Sequence, residues 1–129
     1  CLSPFRRPSA DSAPVEAKAS CLYPNGSRAL IEAGADAVVG GHPHVTQDIE
    51  IIGGKPVIYS LGNFVFDGFD LPEERQGWLL RLEVDRRGLK AWQTRLVQID
   101  AAGTPVPVSG AVTPCGRRGS GVIDDCRNP

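Results

Sequence analysis

The 129-residue sequence contains no methionine and only two histidines, His42 and His44. Two tryptophans, two tyrosines and four phenylalanines leave few aromatic side chains for a core. No apolar run approaches the roughly 20 residues that a spanning helix needs, which excludes a transmembrane helix within this chain. Neither sign of charge dominates: 14 Lys and Arg stand against 15 Asp and Glu, for a net charge of −1. There is accordingly no electrostatic footprint for nucleic acid or for an anionic membrane. A basic segment followed by an apolar stretch, the mark of a signal peptide, is missing as well. The chain opens on Cys1, and with methionine absent this predicts a fragment or processed piece of a longer protein. The missing leader then says little about compartment. Close cysteine pairs are also absent: Cys1, Cys21, Cys115 and Cys126 form no CxxC and all lie outside residues 22–114. That argues against a zinc site built from these cysteines and the histidines. It leaves a disulfide between the ends open, with undefined connectivity.

What is present is ordinary for a globular domain: 41% hydrophobic and 22% charged residues, in a length that suits one domain with a modest core. Residues 1–26 read as irregular, because Pro4, Pro8, Pro14 and Pro24 interrupt every window. Order is expected from near Asn25. Asn25-Gly26-Ser27 offers a cap, Arg28 to Ala33 is good helix material, and Gly34 stops it as a C′ glycine does. Ala35 to Val39 then reads as a short strand buried on both faces. Gln47 to Ile52, the turn Gly53-Gly54 and Lys55 to Leu61 predict a β-hairpin, with Pro56 near the start of its return strand. Gly68 to Gln76 reads as a surface loop. Two longer strands are expected at Gly77 to Val84 and Leu89 to Ile99, joined by a tight turn at Asp85-Arg86-Arg87-Gly88. In the first, Trp78, Leu80, Leu82 and Val84 share a face; both tryptophans are assigned to the core or to cross-strand packing. From Ala101 on Gly and Pro return, and 109–129 reads as an irregular tail.

The stretch that carries chemistry is Gly40-Gly41-His42-Pro43-His44-Val45. Pro43 biases His42 away from the helical region, and in extended backbone residues i and i+2 point to the same side, so His42 and His44 are expected to face one site. Gly40 and Gly41 let the chain turn off the strand and keep the approach open. Imidazole is a common ligand for first-row metals, and ligands in α/β sheets gather beyond the carboxyl ends of strands. Two imidazoles need at least one further ligand to hold a catalytic metal. Gly41 and Asn63 are candidates for lining the site, Asn63 because it follows a strand next to Ser60. Asp36 is assigned to the turn after the helix, Asp48 and Glu50 to a solvent face, and Asp67 and Asp70 to an acidic loop.

Four ordered blocks carry a resemblance: Ala29-Leu30-Ile31-Glu32-Ala33-Gly34-Ala35-Asp36, Gly41-His42-Pro43-His44-Val45, Gly54-Lys55-Pro56 and Tyr59-Ser60-Leu61-Gly62-Asn63-Phe64. Through them residues 28–67 resemble the C-terminal part of the bacterial capsule synthesis protein CapA family, also called the poly-γ-glutamate synthesis family. The likeness runs on to about Val108, so that 27–108 is the expected family-like part. That family is similar to calcineurin-like metallophosphoesterases. The resemblance therefore implies an α/β fold: a partial metallophosphoesterase-like β-sandwich flanked by helices, mostly β in this chain. It implies that His42 and His44 each serve one of two divalent metals, catalytic in the intact parent, which sit about 3.5–4 Å apart and clamp the oxygens of a phosphoester. It also implies work with the capsule or polyglutamate synthesis machinery at the cell envelope or extracellular face. The upstream Asp-x-His, Gly-Asp and Gly-Asn-His motifs of metallophosphoesterases are not in this sequence. Gly62-Asn63-Phe64 is no substitute, since it follows the histidines and ends in Phe. The expectation is thus a chain that is inactive alone. The alternative is a non-catalytic envelope module that binds capsule polymer or a partner protein.

Overall fold

The computed structural model describes residues 2–5, 25–66, 68, 69 and 71–129. Its elements are β1 (Leu2–Phe5), α1 (Asn25–Glu32), β2 (Ala37–Gly40), β3 (Ile49–Ile52), β4 (Lys55–Ile58), a 3-10 turn (Pro72–Arg75), β5 (Gln76–Asp85), β6 (Gly88–Ile99), β7 (Pro105–Pro107), β8 (Val112–Arg117) and β9 (Asp124–Arg127). They form two sheets. One has the order β1-β2-β4-β3, with β2 and β4 parallel and the outer pairs antiparallel. The other has the order β5-β6-β8-β9, with β7 also paired to β6, and is antiparallel throughout.

Helix α1 ends as the glycine predicts. Gly34 takes φ 101°, its N–H donates to Ile31 O, and Ala35 N–H donates to Leu30 O. This is the paired closure of a helix by a left-handed C′ residue. The closure aims Ile31 and Ala35 at the first sheet, where they pack with Val38, Ile52 and Val57. The alternate residues of the same strands point the other way: Ala37, Ile49 and Ile51 meet Leu80, Leu82, Leu89 and Trp92 of the second sheet. The result is two sheets packed face to face, with one helix on the outer face of the first. Both faces of β2 are covered, as its run of small apolar residues predicts.

Both hairpins lie where their turn residues place them. The β3–β4 register runs from Ile52↔Lys55, around Gly53 and Gly54 at φ 57° and 76°. In the β5–β6 ladder Glu83 pairs with Ala91 and Val84 with Leu89, so Lys90 is an additional residue. Such a bulge restores the facing of the residues on either side of it, and Leu89 and Trp92 thereby reach the same core. Trp92 is 4% exposed; Trp78 is only half-buried, and Val84, at the end of the hairpin, is exposed. The expected surface loop at 68–76 contains the 3-10 turn.

Two expectations fail. Leu2–Phe5, within the segment read as irregular, pairs antiparallel with β2 along the whole of that strand and forms an edge of the first sheet. The rest of 6–24, with Cys1 and Cys21, lies outside the described residues. More plainly, 109–129 is not irregular: β8 and β9 extend the second sheet and are tied by a Cys115–Cys126 disulfide. The buried face of β8 is Thr113 and Cys115, which hydropathy does not flag. Pro114 interrupts the run but its carbonyl accepts from Thr94 Oγ1 at 2.6 Å, and Thr113 Oγ1 donates to Thr94 O at 2.6 Å. Gly116 is required by Trp92, because a Cβ there would fall 2.6 Å from the indole nitrogen.

Candidate functional site

Val39 pairs with Ile58 in the parallel β2–β4 ladder, so both strands leave the sheet at the same edge. The loop after β2 and the segment after β4 are therefore neighbours. They stay joined: Gln47 N–H donates to Ser60 O, Tyr59 N–H donates to Asp48 O, and Thr46 and Leu61 form a bridge. The histidine loop lies beyond the carboxyl ends of these parallel strands, the edge at which ligands of α/β sheets gather.

Two buried polar residues from the β4 side hold the histidine loop. Ser60 is fully buried; its Oγ donates to Pro43 O at 3.0 Å and accepts from Gly62 N–H at 3.1 Å. Asn63 is 7% exposed, and its Oδ1 lies 2.8 Å from His44 Nδ1. Its Nδ2 donates to His44 O at 3.2 Å and to Glu74 O at 2.9 Å. Asn63 thus ties the histidine loop to the 3-10 turn. The Phe66 ring lies 4.9 Å from the His44 ring, tilted by 36°. Phe66 meets Phe69 edge-on, and the Arg75 guanidinium lies over Phe69. His44 nevertheless remains exposed, as does His42.

The backbone beneath Asn63 is closely packed. Gly62 has φ 71°, and a Cβ on it would come within 2.7 Å of Gln76 O. Gly62 and Gly77 form a bridge to the start of β5, where a Cβ on Gly77 would lie 1.8 Å from Asn63 O. Trp78 N–H donates to Leu61 O, so the site is anchored to the second sheet as well as the first.

His42 departs from the sequence reading. Its φ is +107°, the single positive value at a non-glycine among the described residues. Proline restrains the ψ of the residue before it by steric exclusion of the helical region, and leaves φ to the turn the chain must make off the strand. The argument that puts His42 and His44 on one side because both are extended does not hold here. Gly41, in contrast, keeps its side open: a Cβ there would meet nothing within 4 Å.

The donor set fits part of a metal site. A ligating histidine is usually oriented by a hydrogen-bond acceptor on its other ring nitrogen, and the Asn63 oxygen stands in that place for His44. His42 stands two residues away and is exposed. Among the described residues, however, no group of three or more His, Cys, Asp or Glu stands where it could hold a metal ion. Asp48 and Glu50 are exposed, and Glu50 accepts from Tyr59 OH at 2.7 Å. Asp67 and Asp70 lie outside the described residues. Asp36 is at the far end of β2, its carboxylate against Gly88.

That far end holds a cleft of about 340 Å³, lined by Lys55, Arg87, Arg117, Arg118 and Trp92 among others. It contains no histidine, and two of its cations, Lys55 and Arg118, are engaged. Lys55 Nζ donates to Ala35 O, while Arg118 pairs with Asp85 and donates to Gly88 O and Leu89 O. The Arg118 hydrogen bond, with that of Arg87 N–H, holds the Asp85 carboxyl down at about 2. This cluster braces the β5–β6 turn against β8.

Sequence reasoning placed Gly41, His42, His44 and Asn63 near one edge, and the chain does bring Asn63 to His44. It missed Phe66 and the Glu74 carbonyl. Nothing in local spacing marks either, since one reaches His44 by ring contact and the other is a backbone atom.

Residues 24–68 match the family model described as bacterial capsule synthesis protein PGA_cap. Over 89 residues the chain is 39% identical to the PGA biosynthesis protein CapA of Bacillus subtilis (strain 168), covering 64% of this chain and 21% of that protein. Over 52 residues it is 46% identical to the capsule biosynthesis protein CapA of Bacillus anthracis, covering 40% of this chain and 11% of the relative. The chain thus spans about a fifth or less of the length of these relatives. No solved structure matches it. The described residues include no helix long and apolar enough to cross a membrane. The histidine loop, Ser60 and Asn63 all lie inside the matched residues, so the chain is CapA-like over 24–68, the stretch in which it is similar to the bacterial capsule synthesis protein family.

Proposed function

We propose that this chain contributes one corner of a divalent-metal site to a capsule synthesis protein whose intact form acts on a phosphoester or related bond. The observation that carries the reading is the hold of Asn63 on His44. A buried amide fixes one ring nitrogen and leaves the rest of the ring exposed beyond the ends of two parallel strands. His44 would supply one ligand and His42 a second. A pair of divalent metals, when bound, supplies Lewis-acid polarisation of a phosphoryl oxygen. The chain's own part is positional. Ser60 and Asn63 fix the loop, Gly41 leaves the approach clear, and Phe66 shields one side of the imidazole.

Two histidines are too few ligands for a catalytic metal, so the chain alone is expected to bind metal weakly and to turn over no phosphodiester. Zinc or manganese titration of the 129-residue chain tests the assignment. Weak binding that disappears in a His42→Ala/His44→Ala double variant supports it. Equal binding by the double variant overturns it. Robust hydrolysis of a nitrophenyl phosphodiester, lost in His44→Ala, would overturn the inactivity of the isolated chain.

A second reading is a non-catalytic envelope module that binds capsule polymer or a partner protein. It is favoured by the exposed run Phe64, Val65 and Phe66 beside the histidines, at 45%, 75% and 39% exposure. Metal content of a full-length relative separates the two, because two metals per chain favour the enzyme and none favours the module. The Cys115–Cys126 disulfide supports an oxidising compartment, and with it a place at the envelope or extracellular face near the capsule synthesis machinery.

A further inference from the structure

The hydrogen bonds of Asn63 settle more than the position of a loop. An asparagine amide has one accepting end and one donating end, and which is which follows from its partners. On one side of Asn63 stand two backbone carbonyl oxygens, His44 O at 3.2 Å and Glu74 O at 2.9 Å. Carbonyl oxygens only accept. The NH2 end must face them, and the oxygen must face the imidazole. Turning the amide over would set its oxygen against two other oxygens in a site where Asn63 is 7% exposed and water has little access. With Oδ1 fixed 2.8 Å from His44 Nδ1, that nitrogen has to be the donor.

From this we infer that Asn63 is a positioning residue that locks His44 in the Nδ1–H tautomer, so that Nε2 is the nitrogen His44 offers to a ligand. In the neutral ring Nε2 then carries the free lone pair. The hydrogen bond made by one ring nitrogen sets the state of the other. Phe66, 4.9 Å from the ring, limits rotation about the same hydrogen bond. The selection comes from three contacts on one buried amide, two of which, to His44 O and Nδ1, are to a single residue. The oxygen of the amide cannot move without disturbing the backbone of the loop that carries the ring. The inference deepens the metal-site reading but does not need a metal in order to be tested.

The experiment uses the 129-residue chain, uniformly labelled with nitrogen-15, in long-range proton–nitrogen correlation spectra at mildly alkaline pH, where an ordinary imidazole is neutral. His42→Gln assigns the two rings. The expected spectrum for His44 has a pyrrole-type Nδ1 and a pyridine-type Nε2, an excess of the Nδ1–H form on the order of tenfold from one well-formed buried hydrogen bond. In Asn63→Ala that excess collapses to a mixture of both tautomers. An Nε2–H ring in the unsubstituted chain overturns the inference, and so does a tautomer ratio unchanged in Asn63→Ala. The spectrum of the unsubstituted chain decides the matter even where the variant does not fold. Zinc adds a second arm. Displacement of the Nε2 resonance with the Nδ1 proton retained supports the assignment, and loss of the Nδ1 proton to zinc refutes it. Absence of any zinc effect counts against the metal-site reading and leaves the tautomer result as measured.

Discussion

Replacing His42 by glycine should stabilise this chain while removing a proposed ligand. His42 has φ +107°, where a side chain is strained whatever the space around it. Holding a non-glycine residue in such a region costs of order 1–3 kcal/mol. Glycine removes that strain but restores about 0.4–1 kcal/mol of backbone freedom to the unfolded chain. His42 is exposed, so little packing is lost with its ring. The difference leaves His42→Gly more stable by about 1 kcal/mol. For a domain of this size that is a rise of roughly 3–5 °C in midpoint. His42→Ala is the control. It removes the imidazole equally but keeps the Cβ, and with it the strain, so it should stay within about 0.5 kcal/mol of the parent chain. Urea unfolding of the three oxidised proteins at one pH reads the effect as a shift in Cm at constant m. A His42→Gly protein no more stable than His42→Ala would refute the reasoning, because the two differ at this position only in whether the backbone conformation is free.

Three further outcomes follow from particular contacts. Gly77→Ala places a Cβ 1.8 Å from the carbonyl oxygen of Asn63; the backbone must shift, and a loss above about 2 kcal/mol is expected. A Cm within error of the parent would show that the two backbones do not approach as described. Arg118→Ala removes the first cause of the depression of Asp85, whose carboxyl should rise from about 2 toward the ordinary value of 3.8. Because the folded value is the lower one, this pairing stabilises the fold above the unfolded value and is lost as pH falls through about 2. Carbon-13 titration of the Asp85 carboxyl checks it, and an unmoved titration sinks the assignment. Replacing both Cys115 and Cys126 by serine opens a link between residues 11 apart; a cost of about 2–4 kcal/mol is expected, matched by reductant on the parent chain. Reduction that leaves Cm unchanged would contradict the disulfide.

Much of the fold is local in origin, and that part was readable. Gly34 closes a helix because the left-handed region is open to it, Gly53-Gly54 turns a hairpin, and β2 is covered on both faces because Ala37 and Val38 are small and apolar. Prediction failed where burial is not hydrophobic. The buried face of β8 is Thr113 and Cys115, and its link to β6 runs through hydroxyl groups bonded to backbone carbonyls, which no hydropathy pattern encodes. It failed again at His42, where a rule about proline's effect on ψ was extended to a claim about φ. For the site, the histidines were visible as the chain's only pair, and the family resemblance carried by the blocks around them is borne out by the match over 24–68. The hold on His44 was not visible, since Asn63 is 19 residues away and its other acceptor is the backbone of Glu74.

On the proposed metal-site reading, that hold also distinguishes the two histidines. Among the described residues His44 meets Asn63 and Phe66, and Asn63 is fixed in turn by Glu74 and by the close approach of Gly77. The imidazole is thus held by neighbours that lie within residues 42–77. Metal ligands oriented by their own second contacts lose little affinity to reorganisation when the remaining ligands arrive. His42 is the opposite case, a strained and exposed residue. If the strain is relieved only when further ligands are present, His42 should gain order on assembly of the full site and His44 should not. Nitrogen relaxation of the two imidazoles in the isolated chain discriminates: a rigid His44 beside a mobile His42 supports this division, and equal mobility of the two rings refutes it.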